Sequence, residues 1–289
     1  MLRNALDDLL SRGCLDCAAD TVSFYRIKSG HLVRLLGGDL PLDRLSSNVV
    51  RDYIQTRRDE GAKDTTVVKE IITLRRAVKL AHETGRFPAN PKEVIPRFRV
   101  RYQPREHWLT AKQVRALLRQ LGPHRRLWVL LATFTGARLS EVERLRWEHV
   151  DLERGWVLLP GTKTAKARRR VPLASELARA LEREERTTDK VVVRWGNVRR
   201  DLAAACARAK IPTVSANDLR RTFASWLKQA GNDSLVVAKL LGHSSTRMVE
   251  LVYGHLSTNE YKSAISDLPT LHKGRRTRRA KHGRKVEAT

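Results

Sequence analysis

The stretch LLGHSSTRMVELVYGHL, residues 240 to 256, sets His243 and Tyr253 a short helix apart. Gly242 reads as a helix stop, because glycine takes the left-handed conformation of a C-terminal cap without steric cost. His243 then falls on a turn. Ser244, Ser245 or Thr246 can cap the next segment, in which Met248, Leu251 and Val252 recur at helical spacing and predict one apolar face. Tyr253 comes near the end of that helix, where a side chain can leave the packed surface.

A phenol ionises at about pH 10. To act as a covalent nucleophile it needs neighbours that receive its proton and neutralise charge on the group it attacks. Clustered cations are therefore the feature to seek upstream, and two segments supply them: TGARLSE at 135 to 141 and NDLRRTF at 217 to 223. Arg220 and Asn217 are three apart on a helix predicted from Ser215, hence on one face, while Arg221 points elsewhere.

Arg138 in TGARLSE, Arg220 in DLRRTFA, His243 in LLGHS and the downstream Tyr253 together resemble the signature of the tyrosine site-specific recombinases, the phage-integrase family. The resemblance covers residues 108 to 266 by motif and the preceding part by general layout. Four boxes in the family's order make it specific. It implies a mainly α fold with a small β-sheet or hairpin, built as a two-domain DNA clamp of an N-terminal helical core-binding domain and an α/β catalytic domain. It also implies two successive transesterifications: Tyr253 attacks a DNA phosphodiester, a 3′-phosphotyrosyl bond forms, and a 5′-hydroxyl leaves and later attacks in return. One phosphoester replaces another, so no cofactor and no metal are expected.

On this resemblance Arg138 and Arg220 stabilise the nonbridging oxygens, a task that planar bidentate donors perform better than point charges. His243 hydrogen-bonds such an oxygen or takes the tyrosine proton. Lys163, in a predicted hairpin, matches the family's general-acid lysine, with Lys166 the alternative three residues on. From their positions alone, Glu141, three residues after Arg138, reads as a structural partner that holds the pocket, and Arg221 as a backbone-phosphate contact or a surface residue. There are two departures. Asn217 stands where the family mostly has histidine, and asparagine exchanges hydrogen bonds but carries no proton near neutral pH. The ten-position spacing from His243 to Tyr253 (253 − 243) is one longer than usual. Asn217 supports a second hypothesis, a catalytically impaired DNA-binding accessory or architectural protein. The partners implied are double-stranded DNA, a homo-tetramer on two duplexes that exchanges the segment Tyr261 to Leu268, and accessory DNA-bending proteins as candidates.

Composition agrees with a polyanion as partner. Lys and Arg number 57 against 31 Asp and Glu, a formal charge of +26, and nucleic acid is the commonest polyanion. Acidic membranes fit less well, because the basic residues are spread through patterned helices and not gathered on one amphipathic anchor. With 289 residues, 41% of them apolar, the chain suffices for two domains with real cores. It has no apolar run of transmembrane length and carries acids in its first ten residues, so it reads as soluble and cytoplasmic. Cys14, Cys17 and Cys206 are an odd count with no disulfide framework, and no second pair completes a zinc site.

Residues 1 to 95 read as the helical core-binding domain, with helices starting at Leu2, over Val22 to Leu36, Ser46 to Glu60 and Thr65 to Glu83. The last of these turns Val68, Ile71, Ile72, Leu74 and Val78 toward one side and Lys69, Arg75, Arg76 and Lys79 toward the other, a candidate DNA-facing surface. Residues 96 to 107 form a proline-broken basic linker in which Arg97, Arg99 and Arg101 are spaced to track phosphates. The catalytic domain spans 108 to 270. It has helices over 110 to 121, 125 to 134 and Ser140 to Trp147, strands at Trp156 and Arg170, and helices over 175 to 185, 196 to 209, 215 to 230, 234 to 241 and 259 to 265. Residues 271 to 289 hold eight Lys and Arg and one Glu and read as a disordered basic tail.

Overall fold

The computed structural model describes residues 1–100, 106–161 and 168–256. Arg101, Lys163, Lys166, the helix expected over 259 to 265 and the 271–289 tail lie outside the described residues. The chain divides into two compact units, Met1–Gln103 and Pro104–Thr289, at a point inside the stretch read as the linker. Among the described residues no helix is long and apolar enough to cross a membrane.

The first unit is helical: α1 (Leu2–Ser11), α2 (Ala19–Leu36), α3 (Ser47–Asp59), α4 (Asp64–Glu83) and the one-turn α5 (Pro91–Val94). Ser46 caps α3 by accepting from the Val49 backbone N–H at 3.4 Å. The buried stripe of α4 is Val67, Ile71, Leu74 and Val78. Ile72, expected on that side, is 48% exposed, because the 3.6-residue repeat through 67, 71, 74 and 78 leaves it on the flank. Glu70 is fully buried and joins α3 to α4, accepting from the Tyr53 hydroxyl at 2.8 Å and from Arg57 at 3.0 and 3.1 Å. Phe98 packs against this core under Arg58, 5.4 Å from its ring centre. The packed part of the unit thus runs beyond the expected boundary at 95.

The second unit begins where Leu109 is held at both ends of its peptide: its N–H donates to Thr222 Oγ1 at 3.0 Å, and its carbonyl accepts from the Trp226 indole at 2.9 Å. Thr110 and Gln113 form a reciprocal cap on α6 (Ala111–Arg119). Next, α7 (Pro123–Thr135) is buried along its whole length from Leu127 to Thr133 and ends on Gly136, in the left-handed region at φ 62°. α8 (Leu139–Glu143) follows. It is shorter than the helix expected from Ser140 to Trp147, since Arg144 breaks the turn and Trp147–His149 forms a separate 3-10 turn. Val142 and Leu145 are buried as expected, whereas Leu139 is 40% exposed.

Three antiparallel strands come next, β1 (Val150–Asp151), β2 (Trp156–Leu159) and β3 (Arg169–Pro172), in the order β1-β2-β3. β1 was not expected; two residues are too few to show a period. Val157 pairs with Val171 and Leu159 with Arg169, and all four side chains face inward. The remaining elements are α9 (Ser175–Glu182), α10 (Val198–Arg208), α11 (Ala216–Gln229), α12 (Ser234–Leu241) and α13 (Arg247–Tyr253). The fold is mainly α with one small antiparallel sheet. Each fully buried leucine of its cores, such as Leu117, Leu131, Leu145 or Leu219, contributes about 1.5–3 kcal/mol by leaving water.

Candidate active site

The α7–α8 junction is the centre of the site. Gly136 supplies the positive φ that ends α7, and a Cβ there would lie 2.6 Å from Phe223 and 2.9 Å from Leu241. Its carbonyl accepts from Arg220 at 2.6 Å and from Arg169 at 3.4 Å. Two residues on, Arg138 is fixed by Glu141, whose carboxylate accepts from the Arg138 backbone N–H at 2.9 Å and its guanidinium at 2.7 Å. Glu141 is 2% exposed. Burial alone would push its pKa up, but Arg169 and Arg138 hold it below the ordinary carboxylate value, so it stays charged.

α11 brings Arg220 to the same place. Ser215 and Asp218 cap this helix reciprocally, and Asp218 also binds Arg221 at 2.6 Å, which spends Arg221 inside the unit. Arg220 is 6% exposed and gives its second terminal nitrogen to the Leu241 carbonyl at 2.7 Å and to His243 Nε2 at 3.0 Å. Burial pushes its pKa down to about 9, with Arg138 and Arg169 adding to the effect and Glu141 and Tyr253 opposing it. It remains protonated at neutral pH. Because Arg220 can only donate, Nε2 of His243 is the acceptor and the ring proton sits on Nδ1. Burial, then Arg220, Arg138 and Arg169, push the His243 pKa down to about 4, so the ring is neutral at physiological pH. Nδ1 is buried with no partner among the described residues. With Nε2 occupied and Nδ1 protonated, the ring has no lone pair left to take a tyrosine proton, and it can act as a donor.

Gly242 ends α12 at φ 68°, and the turn delivers the chain to α13 as expected. The apolar face of α13 is only partly the expected one: Val252 is buried as expected, whereas Met248 and Leu251 are 42% and 49% exposed and Val249 and Tyr253 are buried in their place. Thr246 precedes the helix without a side-chain cap. Tyr253 does not leave the packed surface either; it is 7% exposed and lies within electrostatic reach of Arg220.

Asn217, although three residues from Arg220, is exposed: in the first turn of α11 Asp218 and Leu219 are fully buried, and Asn217 is on the outer side of that turn. It lines a cavity of about 400 Å³ together with Arg138 and Arg199. A neighbouring cavity of about 630 Å³ shares Leu139, Val198 and Arg199 and continues past Arg194 and Arg200. These arginines were missed from the sequence. The DNA-facing candidates of the first unit have internal partners: Arg75 donates to the Pro96 carbonyl at 2.9 Å, Arg76 to the Tyr25 hydroxyl at 2.7 Å, and Lys79 pairs with Glu83 at 3.2 Å. Arg97 and Arg99 are exposed.

Arg169 was also missed. It is 8% exposed and donates to Glu141 at 3.1 Å and to the Leu240 carbonyl at 2.5 Å. Three guanidinium groups, Arg138, Arg169 and Arg220, against the single carboxylate of Glu141 leave an excess of two positive charges among these four described groups. A half-buried site with that excess favours an anion, and its donors are fixed before the anion arrives.

Residues 107–260, more than half of the chain, match the phage integrase family. The chain belongs to that family. It is 32% identical over 159 residues to tyrosine recombinase XerA of Thermococcus kodakarensis, covering 50% of this chain and 56% of that one. It is 24% identical over 225 residues to the integrase of Escherichia phage P2, covering 77% and 65%. It is 27% identical over 249 residues to a tyrosine recombinase of Pseudothermotoga lettingae, covering 81% and 86%. The chain thus spans less than two thirds of the length of the first two relatives. The Tn1549 transposon integrase in complex with transposon right end DNA has the same fold, with a TM-score of 0.73 at 17% identity over 92% of this chain and 99% of that one. So does a lambda integrase dimer bound to a core site, with a TM-score of 0.73 at 18% identity over 90% and 77%.

Proposed function

We propose that this chain cuts and rejoins double-stranded DNA at specific sites through a 3′-phosphotyrosyl intermediate, with Tyr253 as nucleophile. One observation carries the reading: Arg138, Arg220, His243 and Tyr253, from four different segments, meet around one positively charged site. Arg138, partly exposed beside the cavity, binds one nonbridging oxygen, and Arg220 the other. His243 donates from Nδ1 to a nonbridging phosphate oxygen, and the phenolic proton of Tyr253 passes to water as its oxygen bonds the phosphorus. Lys163 gives the departing 5′-oxygen its proton. Glu141 holds Arg138 in place, and exposed Asn217 adds a hydrogen bond to the backbone. The phenol is shielded in this structure, so the reading includes a shift of the seven-residue α13, which lies between Gly242 and Gly254, when DNA binds.

The duplex runs along the groove from Arg138 past Arg199 and Arg194, and Arg97, Arg99 and Arg101 track its backbone. Like lambda integrase, which forms a tetramer on a Holliday junction, the chain works as a tetramer. An apolar groove of about 350 Å³ lined by Phe134, Val171, Leu173, Phe223, Trp226 and Leu240 accepts the segment Tyr261 to Leu268 of a neighbouring copy, whose apolar residues 261, 264, 265 and 268 recur at helical spacing. The non-catalytic alternative rests on Asn217 alone and is not favoured.

The test is a nicked duplex built from the inverted repeats beside the gene, with the covalent adduct followed on a denaturing gel. Wild-type protein forms the adduct equally well in EDTA, and Tyr253→Phe forms none. Arg138→Ala and Arg220→Ala lower the rate by about a hundredfold or more, the usual loss for a transition-state donor. Tight binding without any adduct overturns the reading.

A further inference from the structure

Arg169 contacts three of the groups that hold the proposed phosphate cradle, Glu141 and the Gly136 and Leu240 carbonyls, without belonging to the motifs quoted for it. It shares the Glu141 carboxylate with Arg138, on the same Oε2 that accepts the Arg138 backbone N–H. It shares the Gly136 carbonyl with Arg220. Its third contact, the Leu240 carbonyl, is one residue from the Leu241 carbonyl that Arg220 uses and three from His243. Arg138 immediately precedes α8 and Arg220 sits on α11, His243 follows α12, and Arg169 sits on β3, the strand that follows the segment holding Lys163. One buried guanidinium therefore connects four segments that must keep register to within a fraction of an ångström if two arginines, an imidazole and a lysine are to meet at one phosphorus.

We infer that Arg169 is a positioning residue for the reaction: it locks the Arg138 loop, the Arg220 anchors and the His243 turn to β3. Its charge also adds, after burial, Arg220 and Arg138, to what keeps the His243 ring neutral. The charge argument is geometric. A protonated His243 would place two cationic N–H groups against each other at the present 3.0 Å contact, so this contact exists only while the ring is neutral. The charged groups that act on the ring are Arg220 from α11, Arg138 at the start of α8 and Arg169 from β3, while Glu141 and Tyr253 act on Arg220 beside it. The three arginines act in the same direction, toward a lower histidine pKa. Arg169 does not line the cavity beside Arg138 and is bound to the Glu141 carboxylate and the Gly136 and Leu240 carbonyls, so in the proposed reaction its charge is not spent on the substrate.

The inference rests on the proposed reaction for its kinetic arm, and its other arm is independent of it. Imidazole NMR of the DNA-free chain follows the His243 titration in wild type, Arg169→Gln, Arg169→Lys and, as a control, Arg170→Gln, whose side chain is exposed on the same strand. The His243 pKa rises in Arg169→Gln and stays at the wild-type value in Arg169→Lys and Arg170→Gln. In single-turnover adduct formation at saturating DNA, both Arg169 variants lose about a hundredfold in rate, the scale of a misplaced reacting group. The acid limb of the pH profile moves to higher pH in Arg169→Gln alone. If Arg169→Gln does not fold, Arg169→Lys decides: a wild-type rate in that variant overturns the positioning role. An unmoved histidine pKa in folded Arg169→Gln overturns the charge role. A wild-type protein that forms no adduct condemns the proposed reaction and leaves the histidine titration to judge Arg169.

Discussion

At the scale of single residues the site is a set of charges that the fold holds against their preference for water, and His243 shows the consequence most directly. Its folded pKa lies at about 4, below the roughly 6.5 of an unfolded chain, so the unfolded state takes up the proton first. Stability is therefore complete above about pH 6.5 and is lost as pH falls toward 4, by on the order of 3 kcal/mol for this one group. Denaturant unfolding across that window checks it: the wild-type free energy falls with acid, and in His243→Gln the same curve is flatter by up to one proton. Parallel curves for the two proteins would remove the claim that the ring is held neutral by its surroundings. The chemical character of the site was legible in the sequence, because Arg138, Glu141, Arg220 and His243 each stand next to a helix end that glycine or a capping pair marks. The role of the imidazole was not. Whether it accepts or donates depends on which nitrogen Arg220 occupies, a matter of three dimensions.

At the scale of elements, the α7–α8 junction concentrates several demands on one residue. Gly136 combines a positive φ with two neighbours inside the contact distance of a Cβ, whereas Gly155, between β1 and β2, has φ 69° and open space around it. Both Gly155→Ala and Gly136→Ala carry the strain of a left-handed alanine, about 1–2 kcal/mol. Gly136→Ala adds a collision with Phe223 and Leu241, of order 1–3 kcal/mol, and displaces the carbonyl that Arg220 and Arg169 share. Thermal unfolding of the two variants should show a clearly lower midpoint for Gly136→Ala, and equal midpoints would mean that the packing yields.

The elements also show where one-dimensional reading fails. α12 and its glycine stop were legible because eight residues and a cap are enough to fix a pattern, but α13 has only seven. Over so short a span Met248 and Leu251 fit an apolar face with Val252 as well as Val249 does, and packing chose Val249. Arg169 was hidden by its neighbours Arg168 and Arg170, yet a signal existed. Strand alternation puts it on the same side as Val171, which is buried, and starting the strand at Arg169 rather than Arg170 would have found an arginine that had to be paired.

At the scale of the whole molecule, the charge of +26 is unevenly available to the DNA partner we propose. Arg57, Arg76, Arg169, Arg220 and Arg221 are engaged within their own units, so they shape the protein more than they attract the duplex. Arg97 and Arg99, exposed at the end of the first unit, are free of that duty in the sense that matters for binding: their side chains face solvent where a phosphate can displace counterions. Each phosphate contact contributes about 0.9 to the slope of log affinity against log salt. The double variant Arg97→Ala with Arg99→Ala should therefore flatten the slope by about 1.8, uniformly across DNA sequences, since contacts to phosphate position without reading bases. Arg76→Ala should act the other way round. It loses the Tyr25 bond and the stacking over that ring at 5.2 Å, which lowers the thermal midpoint while the salt slope stays near the wild-type value. Fluorescence anisotropy on one labelled duplex over a range of salt concentrations, set beside melting curves of the same proteins, separates the two effects. An unchanged slope in the Arg97–Arg99 double variant would show that this segment does not touch the DNA backbone and would place the electrostatic footprint on the Arg194–Arg199 groove of the second unit instead.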